Sequence, residues 1–301
     1  MIVVVAPGQG SQSPGFLTPW LEVDGVREHL ERLGEAAELD LVSLGTTADA
    51  DTIRRTEIAQ PLIVAAGLVS AALLDRPIAA LAGHSVGEVT AAVLAGVLTE
   101  QEGMRFIAVR GSAMAEAAAR VPTGMSAVVG GDEQTVLDRI AATGLTAANR
   151  NGGGQIVASG SLDGLEALRS EPPAGARVIP LQVAGAFHTE YMATAVDELR
   201  IVAGTLEPSR PSARLWTNRD GSAVEDGPVF VDLLVGQVAS PVRWDRTMES
   251  FVAAGVTGIV ELTPAGTLVG LAKRAMKGVP AVAVKTPADL TAARDLLDRT
   301  S

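Results

Sequence analysis

The chain opens on an unbroken β-branched run, Ile2 to Ala6, that stops at Pro7-Gly8. A short apolar run closed by a turn signal predicts a strand buried on both faces. A glycine-rich loop, Pro7-Gly8-Gln9-Gly10-Ser11-Gln12, follows it. Val26 to Leu39 carries many charges at helical spacing. Leu62 to Leu74 is apolar except for Gly67 and Ser70, with Pro61 placed to start the helix. A bilayer span needs about 20 apolar residues, so this stretch predicts a buried helix instead. Ile78 to Ala82 predicts a second short strand, followed by a glycine elbow and a helix from Val86 to about Ala95. Glu100 to Arg120 predicts a long helix ending at Val121-Pro122.

The pattern changes after Pro122. Strands are expected at Met125–Val129, Leu145–Asn149, Ile156–Ser159 and Ala176–Leu181, with helices at Glu133–Thr143 and Leu162–Arg169. The order β-α-β-β-α-β is the ferredoxin-like signature. Residues 123–184 therefore read as a small inserted domain, and residues 1–122 with 185–301 as a large α/β domain. The large domain resumes with a helix at Tyr191–Ala203. It closes with strands at Ile259–Glu261 and Ala281–Val284 and helices at Leu268–Met276 and Ala288–Arg299. Strands alternating with helices predict a parallel sheet. The expected fold class is thus α/β: a hydrolase-like domain with a short parallel sheet, plus the ferredoxin-like insertion.

Composition narrows the chemistry. The 301 residues include no cysteine, which removes disulfides, thiolate metal sites and a cysteine nucleophile together. A formal net charge of −11 argues against nucleic-acid binding, which needs a basic surface. Met1 to Ala6 is too short for a signal core and no basic residue precedes it, so a cytoplasmic location is expected. No metal or cofactor is expected.

Gly83-His84-Ser85-Val86-Gly87 matches G-x-S-x-G, between a predicted strand and a predicted helix. The glycines permit a tight turn, and the turn lifts the Ser85 hydroxyl above the sheet edge. The following helix N-terminus offers backbone N–H groups to an oxyanion. The alternative is a plain Gly/Ser turn. A serine nucleophile needs a base, and the chain has three histidines. His29 lies among charges on a helix and reads as a solvated surface residue. His84 adjoins Ser85 and points to the other side of the strand end, so it reads as support for the elbow. His188, after the small-residue loop Ala184-Gly185-Ala186-Phe187, is left as the candidate base, with a structural histidine as the alternative.

These residues resemble the malonyl-CoA:acyl-carrier-protein transacylases of fatty-acid synthesis, and similarly the acyltransferase domains of polyketide synthases. The resemblance spans essentially the whole chain. Its marks are Pro7 to Gln12, Gln60-Pro61, Gly83 to Glu88, Val109-Arg110-Gly111, Asn149 to Gln155, Ala186-Phe187-His188, and Gln237 to Trp244. The segment Asn151-Gly152-Gly153-Gly154-Gln155 departs from the family's Asn-Ser-Pro-Gly-Gln, and no catalytic role is given to it. The resemblance implies that Ser85 is acylated, that His188 is general base and then acid, and that the Gln9 and Val86 N–H groups form the oxyanion hole. It implies that the Gln237 backbone carbonyl orients His188 in place of a triad acid. It further implies that Arg110 binds the malonyl carboxylate and that Phe187 restricts the acyl group to malonyl. Malonyl-CoA and holo acyl carrier protein are the implied partners. From the residues alone, Arg110 reads as a solvated helix arginine, and Phe187 could be a core anchor. Lys273, Arg274 and Lys277 form the densest basic cluster and a possible carrier-protein dock, although cations there also suit a helix C-terminus. A discrete polyketide acyltransferase with another extender unit, a serine hydrolase and a non-catalytic scaffold are the competing readings.

Overall fold

The computed structural model describes residues 1–300. Ten strands are present among these: β1 Ile2–Ala6, β2 Ala80–Gly83, β3 Thr123–Gly130, β4 Thr146–Gly152, β5 Gln155–Ser161, β6 Ala176–Pro180, β7 Arg214–Trp216, β8 Ala223–Val224, β9 Gly258–Glu261 and β10 Ala281–Ala283. They form a six-stranded sheet, β10-β9-β1-β2-β7-β8, and a four-stranded sheet, β4-β5-β3-β6.

In the larger sheet all pairings are parallel except that of β7 with β8. The parallel sheet expected from the alternation of strands and helices therefore gains an antiparallel edge, built by a two-residue strand too short to leave a pattern. Side chains alternate across a strand. Accordingly Ile2, Val4 and Ala6 of β1 enter one core cluster, and Val3 and Val5 enter another on the opposite face. Burial on both faces is why this strand reads as a continuous apolar run.

The Thr56–Ala72 helix is buried along nearly its whole length. It begins five residues before Pro61, so the proline sits inside the helix and does not start it. Its first turn lies against Gly111 of the Glu100–Arg120 helix. A Cβ on Gly111 would stand 3.0 Å from the Glu57 Cα. Two helix backbones approach this closely only over a residue without a side chain.

The smaller sheet pairs β3 with β5 and β6, and β4 with β5, all antiparallel. The Glu133–Ala142 and Leu162–Ser170 helices supply Val136, Ile140 and Leu168 to its own apolar core. This is the ferredoxin-like arrangement predicted from the order of elements. The small sheet is tied to the larger body by Arg150 N–H donating to the Val242 carbonyl and Val242 N–H donating to the Ala148 carbonyl. Helices at Gly227–Gln237 and Trp244–Ala253 complete the described chain around the site, and neither was anticipated from the sequence. Among the described residues, no helix is long and apolar enough to cross a membrane.

Candidate active site

Strands β1 and β2 run side by side with Ala6 opposite Gly83, so the loops that follow them share one edge of the sheet. His84 N–H donates to the Ala6 carbonyl at 3.0 Å, extending this pairing into the elbow. A Cβ on Gly83 would collide with the Gly87 backbone, and one on Gly87 with the Ala6 carbonyl. These contacts are the physical reason for both glycines of the motif.

Ser85 occupies the left-handed region, with φ 51°. A non-glycine residue there is strained by roughly 1–3 kcal/mol and must be held by its surroundings. Asn218, just after β7, does the holding. Its Oδ1 accepts from Ser85 N–H at 2.7 Å and its Nδ2 donates to the Gly83 carbonyl at 2.6 Å. Since the Ser85 N–H is engaged, the next amide of the elbow, Val86, is the one left to face the cavity. Among the described residues neither Gln9 N–H nor Val86 N–H has a protein acceptor, and both residues line the cavity beside Ser85.

His188 is brought to the serine by its own left-handed backbone, with φ 61°, and by its N–H donating to the Val238 carbonyl at 2.9 Å. Its Nε2 lies 2.7 Å from the Ser85 Oγ. Its Nδ1 lies 2.9 Å from the Gln237 carbonyl oxygen. A carbonyl can only accept, so Nδ1 carries the proton and Nε2 presents its lone pair to the serine hydroxyl. The ring therefore has the tautomer of a general base without a carboxylate partner. Burial, and then the nearby Arg110 cation, push its pKa down to about 3, which keeps it neutral and able to accept a proton.

Arg110 is 1% exposed, so it is not a solvated helix arginine. One guanidinium nitrogen donates to Gln60 Oε1 at 2.6 Å. The other donates to Gln237 Oε1 at 2.7 Å and to the Ser85 Oγ at 3.3 Å. Burial pulls its pKa down to about 10, opposed by the charge of Glu88. Glu88, also buried, accepts from Asn218 N–H at 2.7 Å and from the Gln237 side-chain amide. Burial raises its pKa to about 7 against these hydrogen bonds.

The cavity has a volume of about 280 Å³. One wall comes from the large sheet's loops and the other from Met125, Ala127 and Val157 of the small sheet. Phe187 is buried and lines it. His84 also lines the cavity, and its Nε2 meets Asn151 Oδ1 at 2.8 Å, a supporting contact and not one to the serine hydroxyl. Asn151 in turn donates to Gln155 Oε1 at 2.9 Å, so the departing Asn-Gly-Gly-Gly-Gln segment buttresses the elbow from the small sheet. Its three glycines all have positive φ. His29 differs from expectation: it is mostly covered and its Nε2 lies 2.9 Å from Glu100. It is a tether between two helices, far from the site chemistry.

Of the residues expected from the sequence, Ser85, His188, Gln9, Val86 and Phe187 line one cavity, while Arg110 and Gln237 lie behind it, in contact with the Ser85 Oγ and the His188 ring respectively. Sequence reasoning missed the side-chain roles of Gln60, Glu88, Asn218 and Gln237. Gln60 and Glu88 were visible as parts of motifs, but nothing local disclosed their partners. Asn218 left no signal. Lys273, Arg274 and Lys277 are exposed, at and beyond the end of the Thr267–Ala275 helix whose start lines the cavity.

Comparison with known proteins adds an independent finding. A family model described as acyl transferase domain matches residues 3–293. A malonyl CoA-acyl carrier protein transacylase of Mycobacterium tuberculosis is 50% identical over 296 residues, covering 96% of this chain and 98% of the relative. The crystal structure of the M. tuberculosis protein superposes with a TM-score of 0.93 at 49% identity, covering 99% of both chains. A malonyl-transacylase solved in complex with its type II PKS acyl-carrier protein superposes with a TM-score of 0.91 at 27% identity, covering 98% of this chain and 99% of that one.

Proposed function

Because this chain belongs to the acyl transferase domain family, we propose that it moves a malonyl group from malonyl-CoA to the phosphopantetheine thiol of holo acyl carrier protein, through a malonyl ester on Ser85. The observation that carries the choice of acyl group is the buried Arg110 guanidinium, 3.3 Å from the nucleophilic oxygen and held by two amide oxygens. A planar cation in a closed site selects an acyl group that brings its own carboxylate. A short apolar acyl group would leave that cation buried with no carboxylate in direct contact with it.

Ser85 Oγ attacks the thioester carbon while His188 Nε2 takes its proton. The oxyanion is received by the Gln9 and Val86 N–H groups, each such donor being worth about 3–4 kcal/mol. CoA leaves as its thiol, protonated by His188. The carrier-protein thiol then gives its proton to His188 and attacks the ester, and Ser85 recovers its hydrogen as the product thioester departs. The Gln237 carbonyl holds the ring throughout. Phe187, which lines the cavity, is the residue given the task of crowding an α-methyl, although one methyl is worth only about 1–3 kcal/mol of discrimination. The division into a catalytic domain, 1–122 with 185–301, and a small domain, 123–184, belongs to the same reading. So does a cytoplasmic location.

Two half-reactions through a covalent intermediate require parallel lines when initial rate is measured against malonyl-CoA at several carrier-protein concentrations. Intersecting lines would contradict the mechanism. The exposed Lys273–Arg274 pair, in the last turn of the helix whose start lines the cavity, is the proposed dock for the carrier protein. Charge reversal at both positions is expected to raise the carrier-protein KM about tenfold while leaving Ser85 acylation by malonyl-CoA unchanged. An unchanged KM removes the dock.

A further inference from the structure

Glu88 is buried two residues beyond the oxyanion-hole amide of Val86, and the transfer chemistry above gives it no part. We propose that Glu88 is a positioning residue for malonyl selectivity: its carboxylate fixes the orientation of the Gln237 side-chain amide, and through it the Arg110 guanidinium. The proposal rests on Arg110 as the reader of the malonyl carboxylate.

The geometry is a chain of donors and acceptors that works in one direction only. Glu88 Oε1 accepts from Asn218 N–H at 2.7 Å, and Oε2 accepts from Gln237 Nε2. Gln237 Nε2 also donates to the Ser85 carbonyl at 3.1 Å. Gln237 Oε1 is therefore left to accept from Arg110 at 2.7 Å. A glutamine amide can be turned by half a rotation with little change of shape, so the partners decide which end points where. Turned over, Gln237 would aim an NH₂ at the guanidinium, two donors face to face. An ionised carboxylate only accepts, and Glu88 in that form forbids the turned state.

The surroundings suit this role. Glu88 faces Arg110 from the Glu100–Arg120 helix, Thr217 and Asn218 from the segment after β7, and Gln237 from the end of the Gly227–Gln237 helix. Arg219 and Asp232 line, with Glu88 and Gln237, a cavity of about 190 Å³. Arg110 is the charge that acts on Glu88, and Gln237 bridges the two side chains.

The test compares single-turnover acylation of Ser85 by malonyl-CoA and by acetyl-CoA in four proteins: wild type, Arg110→Ala, Glu88→Gln and the swap Glu88→Gln with Gln237→Glu. Glu88→Gln has one acceptor oxygen for the two donors that meet it, Asn218 N–H and Gln237 Nε2, so one link of the chain is left donor against donor and the Gln237 amide is no longer fixed. The substitution is expected to lower the malonyl-to-acetyl ratio of kcat/KM about 10- to 100-fold, the worth of a hydrogen bond to a charged group. The swap again pairs a donor with an acceptor between Asn218 and position 88, between positions 88 and 237, and between position 237 and Arg110, at the loss of the donor to the Ser85 carbonyl, and the malonyl-to-acetyl ratio is expected to rise from that of Glu88→Gln towards wild type. Equal loss of both activities in Glu88→Gln would make Glu88 merely structural and overturn the proposal. A swap that does not restore selectivity, whether inactive or unfolded, would overturn it too. Arg110→Ala reports separately on the carboxylate reading: if it keeps malonyl selectivity, that reading fails before Glu88 is considered.

Discussion

His188→Ala is expected to lower the rate of Ser85 acylation by malonyl-CoA about 10⁴- to 10⁶-fold, the scale found when a nucleophile loses its base. The reason is the isolation of the Ser85 hydroxyl. Its Oγ touches His188 Nε2 at 2.7 Å and Arg110 at 3.3 Å, and the arginine can only donate to it. Without the imidazole, nothing in contact with the hydroxyl accepts its proton. Glu88 is a buried carboxylate in the same network, but its carboxylate reaches Ser85 through Gln237 and Asn218 and does not touch the hydroxyl. Rapid-quench measurement of acyl-enzyme formation checks the prediction. A loss below tenfold would mean that another group serves as base.

Arg110→Ala is expected to cost malonyl transfer about 2–5 kcal/mol, the usual price of truncating one partner of a buried charge pair, while acetyl transfer survives or rises. Two effects act in the same direction on the acetyl reaction. A buried cation with no substrate counter-charge disappears from the acyl site. The second-largest influence depressing the His188 pKa, after burial, disappears with it, leaving a stronger base. A malonyl carboxylate bound as proposed would achieve part of this by neutralising the guanidinium. The ratio of kcat/KM for malonyl-CoA to that for acetyl-CoA is the measure, and equal loss of both would refute the assignment.

The reaction centre was legible where the chemistry is local. Gly83, Ser85 and Gly87 sit within five residues, and the backbone collisions that forbid a side chain at the two glycines involve this turn and the end of β1. The base could be found because only three histidines exist. The small sheet was legible because its strands are long enough to alternate. What escaped depends on separation. Asn218 clamps a serine 133 residues away, and Gln60 reaches Arg110 across 50. Hydrogen bonds of that kind leave no periodicity. Strands β7 and β8, of three and two residues, are too short for one. The Gly227–Gln237 helix is largely apolar around its circumference, so it lacks the stripe that marks an amphipathic helix. Pro61 misled because proline commonly opens helices, whereas here the preceding turn is stabilised by packing on Gly111. That same close approach brings Gln60 to Arg110.

The central claim is a malonyl ester on Ser85. Intact mass spectrometry after brief incubation with malonyl-CoA, without carrier protein, tests it on wild type and Ser85→Ala side by side. The expected result is one malonyl adduct on wild type, mapped to the peptide containing Ser85 and discharged when holo carrier protein is added, with no adduct on the alanine variant. An adduct that persists in Ser85→Ala, or wild type that transfers malonyl without ever carrying it, would contradict the account.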